Sequence, residues 1–261
     1  MTNQTLTIIQ EDGTSFVISS NEKITVLNFL PGSPFFNAEY GKLTGRHGEI
    51  DLGGSFDARD GIKSVFLIEP NGIDDFYKVR NKFFRLFASR TPFYIVTSRE
   101  PEKRWKVRVA NKYEVEPQAN GNYGLIEVQF KSAGAFAESA QLTLEKMKTE
   151  YTRTTATFSI DNKGDVEIDP RQMPLRITYK GASENLKIKN KTTKEEWIYT
   201  GTTTDKDTIV IDQVRSTKNS LSIVRDTNKK VISLKDGTNE FEITGAKGAF
   251  SISFDFRFRY L

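Results

Sequence analysis

The sequence predicts a mainly β fold in two domains. The first is an α+β domain with a split-barrel or sandwich-like sheet and one main helix, and the second is a β-sandwich. Three observations carry this. Apolar and polar residues alternate with a period of two almost without a break from Thr154 to Tyr260. Only one stretch, beginning at Asp74, places apolar residues at convincing helical spacing. Early in the alternating run, Asn162-Lys-Gly-Asp-Val-Glu-Ile-Asp-Pro170 interrupts the strand pattern near the start of the second domain. Gly and Pro do this through their unusual φ requirements. The expected boundaries are 1–135 and 136–261.

In the first domain, Leu6–Gln10 and Ser15–Ser19 flank Glu11-Asp-Gly-Thr14, an Asp-Gly hairpin. Ile24–Leu30 is a further strand. Pro31 to Phe56 is rich in Gly, with Phe35, Phe36 and Tyr40 set among turn residues. This reads as a long loop or arm, and segments of that kind in compact domains are commonly functional. Ser64–Ile68 resumes strand and Asn71-Gly72 turns it. Asp74 and Asp75 are N-cap candidates for the helix. Phe76, Val79, Arg80, Phe83 and Phe87 follow at helical spacing on one face, which reads as core rather than a cofactor box. Lys78, Lys82 and Arg85 fall on another face, either solvated or, in an assembly, meeting an acidic partner. Thr91-Pro92 ends the helix, because a residue before Pro disfavours the α region. Phe93–Thr97, the Trp105/Val107/Val109 alternation and Ile126/Val128/Phe130 supply three more strands. An Ala-rich linker from Ser132 to about Glu150 includes a short helix near 141–148.

In the second domain, Phe158 and Ile160 are expected to pair with Val166 and Ile168 across Asn162–Gly164. Short strands then follow at Leu175–Tyr179, Leu186/Ile188, Trp197/Tyr199, Ile209/Ile211, Leu221/Ile223, Ile232/Leu234 and Phe241/Ile243. Phe250 to Tyr260 closes the chain with an unbroken aromatic-aliphatic face, the mark of a strand near the middle of a sheet. Many short strands parted by Gly, Asn, Asp and Thr argue a sandwich.

Composition narrows the function. The 261 residues carry 38 basic and 34 acidic side chains, a net +4 spread along the chain rather than clustered, which argues against specific nucleic-acid binding. Nineteen Phe and nine Tyr argue against disorder. Cys is absent, excluding disulfides, thiolate nucleophiles and Cys-held metals and fitting a reducing compartment. Met1 to Leu6 lacks the layout of a signal peptide, and no apolar run reaches a membrane span, so a soluble protein made in the cytosol is expected.

Most chemistries lack their parts. The single His, His47 in Gly45-Arg-His-Gly48, reads as a turn residue without a Gly-x-Ser-x-Gly elbow. Gly41-Lys42-Leu43 fails as a phosphate loop, since Phe36 and Leu43 occupy the positions of the first Gly and the Ser/Thr. Asp205/Asp207 and Asp165/Glu167/Asp169 would each share a strand face and could line a cation site or a glycosidase pair, but solvated faces are the simpler reading. No enzyme, cofactor or metal is expected.

The words Phe158-Ser-Ile-Asp-Asn-Lys-Gly-Asp165 with Pro170 and Pro174 resemble the C-terminal domain of siphophage distal tail proteins, the Dit family. So do Leu175-Arg-Ile-Thr-Tyr-Lys-Gly181, Leu186–Asn190, Ile209–Asp212, Asp236–Phe241 and the ending Phe256-Arg-Phe-Arg-Tyr-Leu261. Arg46–Leu52, the strand, helix and strand of 64–97, and Phe130–Phe136 fit that family's N-terminal domain, so the resemblance runs nearly the whole length. It implies a galectin-like C-terminal sandwich and a homo-hexameric ring at the tail tip of the virion, synthesised in the bacterial host cytoplasm. Its implied partners are the major tail (tube) protein, the tail-associated lysin or fibre protein and, in some phages, a receptor-binding protein. A head-to-tail ring uses two different patches on each subunit. Phe35, Phe36 and Tyr40 are the candidates for such a contact, with local core filling as the alternative. A carbohydrate-binding module for host cell-wall polysaccharide is the second functional reading. Trp197 could stack on a sugar, but the domain lacks the His of a galectin set, which puts Trp197 in the core.

Overall fold

The computed structural model describes residues 4–19 and 23–261, so the first three residues of the N-terminus read above lie outside it. The chain divides into two compact units, residues 1–140 with Leu261, and 141–260.

Unit one begins with the hairpin of β1 (Leu6–Ile9) and β2 (Ser15–Ile18), paired antiparallel. Gly13 holds φ +86° in its turn, and the Asp12 carboxylate accepts from the Thr14 amide at 2.9 Å. β3 (Ile24–Leu30) follows, then β4 (Phe36–Gly41) and β5 (Ile50–Phe56), which pair only with each other. The arm is therefore a β-hairpin, not the loop its composition predicts. β6 (Ile62–Ile68) leads into α1 (Ile73–Phe87), followed by β7 (Phe93–Thr97), β8 (Glu100–Val109), β9 (Gly124–Lys131) and β10 (Ala137–Ser139). The sheet runs β2-β1-β7-β8-β9-β6-β3, and a bridge from Gln4, just ahead of β1, to Val26 on β3 brings its two sides together as a split barrel. The alternating side chains of β6 and β9 fill it, with Phe66, Val128 and Phe130 buried.

The helix lays Phe76, Val79, Phe83 and Phe87 against this core. Phe66 sits 5.0 Å from the Phe83 ring and 5.6 Å from Phe87, each such side chain contributing about 1.5–3 kcal/mol on burial. The helix is capped two residues ahead of the first of its Asp pair. Gly72, at φ +90°, takes the cap position, and Asp75 reaches back from the first turn to the Asn71 amide at 2.8 Å and Lys23 Nζ at 2.6 Å. Those bonds hold the Asp75 carboxyl below its ordinary pKa. The helix also stops at Phe87, short of Thr91-Pro92.

Unit two opens on the short helix α2 (Thr143–Lys146), then β11 (Thr152–Arg153) and β12 (Thr157–Asn162). Next come β13 (Leu175–Asn190), β14 (Glu195–Thr203), β15 (Thr208–Asp212), β16 (Arg215–Lys218), β17 (Leu221–Ser222) and β18 (Gly237–Phe256). Two expected pairs of short strands are in fact single long ones. β13 and β18 run antiparallel from Leu175↔Phe256 to Asn190↔Phe241, with register shifts between Gly181 and Lys187. Gly181 and Gly245 take φ +144° and +83° at this corner, where a Cβ would meet the Phe250 side chain or backbone carbonyls. One half of the ladder is flanked by β15 and β11, the other by β14 and β12, and the two halves face each other. Phe241 of one half lies 4.8 Å from Phe254 of the other, and Trp197 Nε1 on β14 donates to Ser216 Oγ on β16 at 3.2 Å. That is a sandwich with β18 inside its sheet, as the apolar face of the last strand predicts.

Two expected strands are absent for a shared reason. Val166/Ile168 form no hairpin with β12, whose Phe158 and Ile160 pair instead with Phe241 and Asn239. Asn162 Nδ2 donates to Val166 O at 2.8 Å, and Ile168 only bridges Leu234. Ile232 and Leu234 are buried but lie outside any named strand. Asn190 Nδ2 serves Ser233 O at 2.8 Å, and Asn239 serves Lys235 at both its amide (2.9 Å) and its carbonyl (2.8 Å). Buried asparagines supply the partners a neighbouring strand would otherwise give.

Candidate assembly interface

Of the residues singled out in the sequence, Phe35, Phe36 and Tyr40 come together on the arm. Phe36 and Tyr40 share one face of β4, and Phe35 precedes it. Phe36 stands opposite Phe56 with ring centroids 5.2 Å apart, and Phe56 in turn meets Phe136 at 5.4 Å, so an aromatic ladder anchors the hairpin root. Phe35 and Tyr40 remain 64% and 59% exposed, and Leu43 and Leu52 on the same arm are exposed as well. An isolated two-stranded hairpin is at best marginally stable in water, so this apolar surface is suited to a partner. Lys78, Lys82 and Arg85 are exposed on α1, a different element, while Arg80 folds over the rings of Tyr77 and Phe84 at 4.8 and 5.7 Å.

The arm's legs meet at a residue that the sequence reading missed. Gly32 comes so close to the Asp60 carbonyl that a Cβ would sit 2.7 Å from it. Arg59 is buried there. Its Nε donates to Ala135 O at 3.0 Å, its Nη1 to Gly32 O, and its guanidinium lies 5.2 Å from the Trp105 ring. Loss of water pulls its pKa below the ordinary arginine value. Replacing Arg59 by Ala strands two carbonyls and frees the arm's root. We expect chemical denaturation of unit one to show a loss of about 2–4 kcal/mol, with Lys failing to rescue because one ammonium cannot replace the planar fork. An unchanged midpoint would remove Arg59 from this role. Nothing in Asp57-Ala-Arg-Asp-Gly61 marks it in the sequence, because a buried cation with neutral partners leaves no pattern.

His47 is exposed in the turn of the arm. Asp205/Asp207 and Asp165/Glu167/Asp169 lie in turns rather than strands, so neither set shares a strand face; Asp207 accepts from the Thr204 amide at 2.8 Å and Asn219 Nδ2 at 2.5 Å. Among the described residues no cluster of three or more His, Asp or Glu could hold a metal, and no helix is long and apolar enough to cross a membrane. Trp197 is buried in the sandwich core, 1% exposed, as expected.

Residues 11–132 match the family of phage tail protein RIFT-related domains. Along its whole length the chain is similar to the Dit protein of phage SPP1, whose structure is described as a paradigm of hub adsorption apparatus in phages infecting Gram-positive hosts. The two align over 97% of this chain and 99% of that one at 14% identity, with a TM-score of 0.69. Chains of the phage p2 baseplate in its activated conformation, with Sr and with Ca, align over 97% and 98% of this chain and of theirs, at 9% identity and TM-scores of 0.45 and 0.46. No curated protein matches. The chain therefore shares the fold of SPP1 Dit along its length, and residues 11–132 of its N-terminal unit match a phage tail domain family.

Proposed function

We propose that the chain is a structural subunit of the tail hub. Copies close head to tail into a hexameric ring built by the N-terminal domain, 1–135, while the galectin-like sandwich of 136–261 projects outward. The ring connects the major tail protein of the tube to the tail-associated lysin or fibre protein, and it offers a platform for a receptor-binding protein. It acts at the tail tip of the virion after synthesis in the host cytoplasm, and it binds and positions rather than catalyses. The observation that supports this most is the fold likeness to SPP1 Dit across 97% of the chain. The arm is the second support, since an exposed apolar hairpin fits a heterologous contact, and such contacts generate rings when the rotation closes.

Electron microscopy and light scattering of the purified chain test it. The expected result is closed rings with a central hole and a mass about six times the 29.7 kDa chain. A monomer at all concentrations that is also missing from purified tails would reject the proposal.

A further inference from the structure

The tip of the arm is cationic and apolar together. Arg46 N donates to Leu43 O at 3.1 Å around Gly45, whose φ of +82° makes the turn tight and leaves Leu43 59% exposed. The Lys42 side chain is 83% exposed and only loosely near Glu49, at 3.7 Å. Arg46 has no ion pair among the described residues.

Elsewhere on unit one lies a surface of the opposite character. A cleft of about 370 Å³ is lined by Glu114, Glu116, Gln118, Tyr123 and Leu125. Tyr123 and Leu125 are 41% and 55% exposed, and neither glutamate has an ion-pair partner among the described residues. The wall is held in shape before anything binds. Gln118 N donates to Tyr123 O at 2.9 Å, and Gly121 packs so tightly on the start of α1 that a Cβ would lie 2.7 Å from Ile73 Cα.

We propose that the tip of one copy seats in this cleft on the next copy, with Leu43 on Tyr123 and Leu125 and with Lys42 and Arg46 facing Glu114 and Glu116. The inference rests on the ring reading above and supplies the second patch that a head-to-tail ring requires. Charge complementarity fixes the occupant: each surface carries the charges and the apolar contact that the other lacks. The preformed cleft also means that only the arm has to order on docking.

Because the chain has no Cys, engineered thiols report the contact without background. Leu43→Cys and Tyr123→Cys are made separately, mixed at low salt and oxidised. Leu221→Cys, at a position 75% exposed on the sandwich, serves as the control partner. The expected result is a Leu43→Cys to Tyr123→Cys dimer at least about tenfold more abundant than that with the control, since a disulfide needs Cα atoms within about 7 Å. A chain carrying both thiols should form a ladder that ends at a closed ring. Adding Glu114→Lys and Glu116→Lys to the Tyr123→Cys chain should suppress the dimer. Adding Lys42→Glu and Arg46→Glu to its Leu43→Cys partner should then restore it. Equal bonding to the control, or only an internal disulfide in the doubly substituted chain, overturns the proposal. Rings without this cross-link would leave the hub reading intact and remove the inference. The cross-link in a chain that never closes a ring or enters a tail would do the reverse.

Discussion

Replacing Phe254 by Asp unfolds unit two while unit one keeps its fold. Phe254 is fully buried, 4.8 Å from the Phe241 ring and 6.0 Å from Phe158, where the two halves of the β13–β18 ladder face each other. Removing a buried Phe ring costs about 3–5 kcal/mol, and an unpaired carboxylate among aromatic rings adds several more. The sum rivals the roughly 5–15 kcal/mol that holds a typical domain together. The two tryptophans make this readable, since Trp105 lies in unit one and Trp197 in unit two. In a Trp105→Phe background the emission of Trp197, 1% exposed in the native chain, should shift to the red. With Trp105 as the only tryptophan, emission should not move. Phe254→Leu, which keeps the site apolar, should remain folded; a native Trp197 signal in the Asp variant would refute the prediction.

The second large effect is on assembly rather than folding. Phe35→Asp combined with Tyr40→Asp should leave circular dichroism unchanged, because both side chains are already more than half exposed, at 64% and 59%. The proposed ring should nevertheless be lost. Aromatic anchors at interface centres are worth about 2–4 kcal/mol each, and a closed ring repeats the damage at every junction. The measurement is mass by light scattering at matched concentration, with a monomer expected. A double variant that still assembles would show that the arm's aromatics do not form the contact.

Much of the fold was readable because burial on one face leaves a period. The strands Ile24–Leu30 and Phe93–Thr97 and the aromatic face of the helix were legible from their spacing, and the mid-sheet place of β18 from its unbroken apolar face. The arm was visible only as an interruption. A hairpin that buries neither face has no reason to alternate, and Gly53-Gly54 breaks what pattern β5 has; Gly54 lies so close to Asn37 O that no side chain fits. The continuity of β13 and β18 was hidden as well, because their corner glycines look the same in sequence as hairpin turns. Val166, Ile168, Ile232 and Leu234 read as strand because they alternate and are apolar. Ile168 and Leu234 bridge only each other, and asparagine side chains take the neighbouring carbonyls of Val166 and Ser233, which no periodicity reports. For the candidate interface, exposed aromatics among turn residues pointed to the arm. The Arg59 clasp draws on residues far apart in the chain and had no local mark, and the Glu114–Leu125 cleft, although one short stretch, carries no period that sets it apart.

β13 and β18 belong to both layers of the sandwich at once. In an ordinary two-sheet domain the layers meet only through side chains and can slide or peel apart under load. Here any separating force has to tear a ladder of backbone bonds that passes round the corner from Leu175↔Phe256 to Asn190↔Phe241. The module should therefore yield in a single abrupt step when stretched.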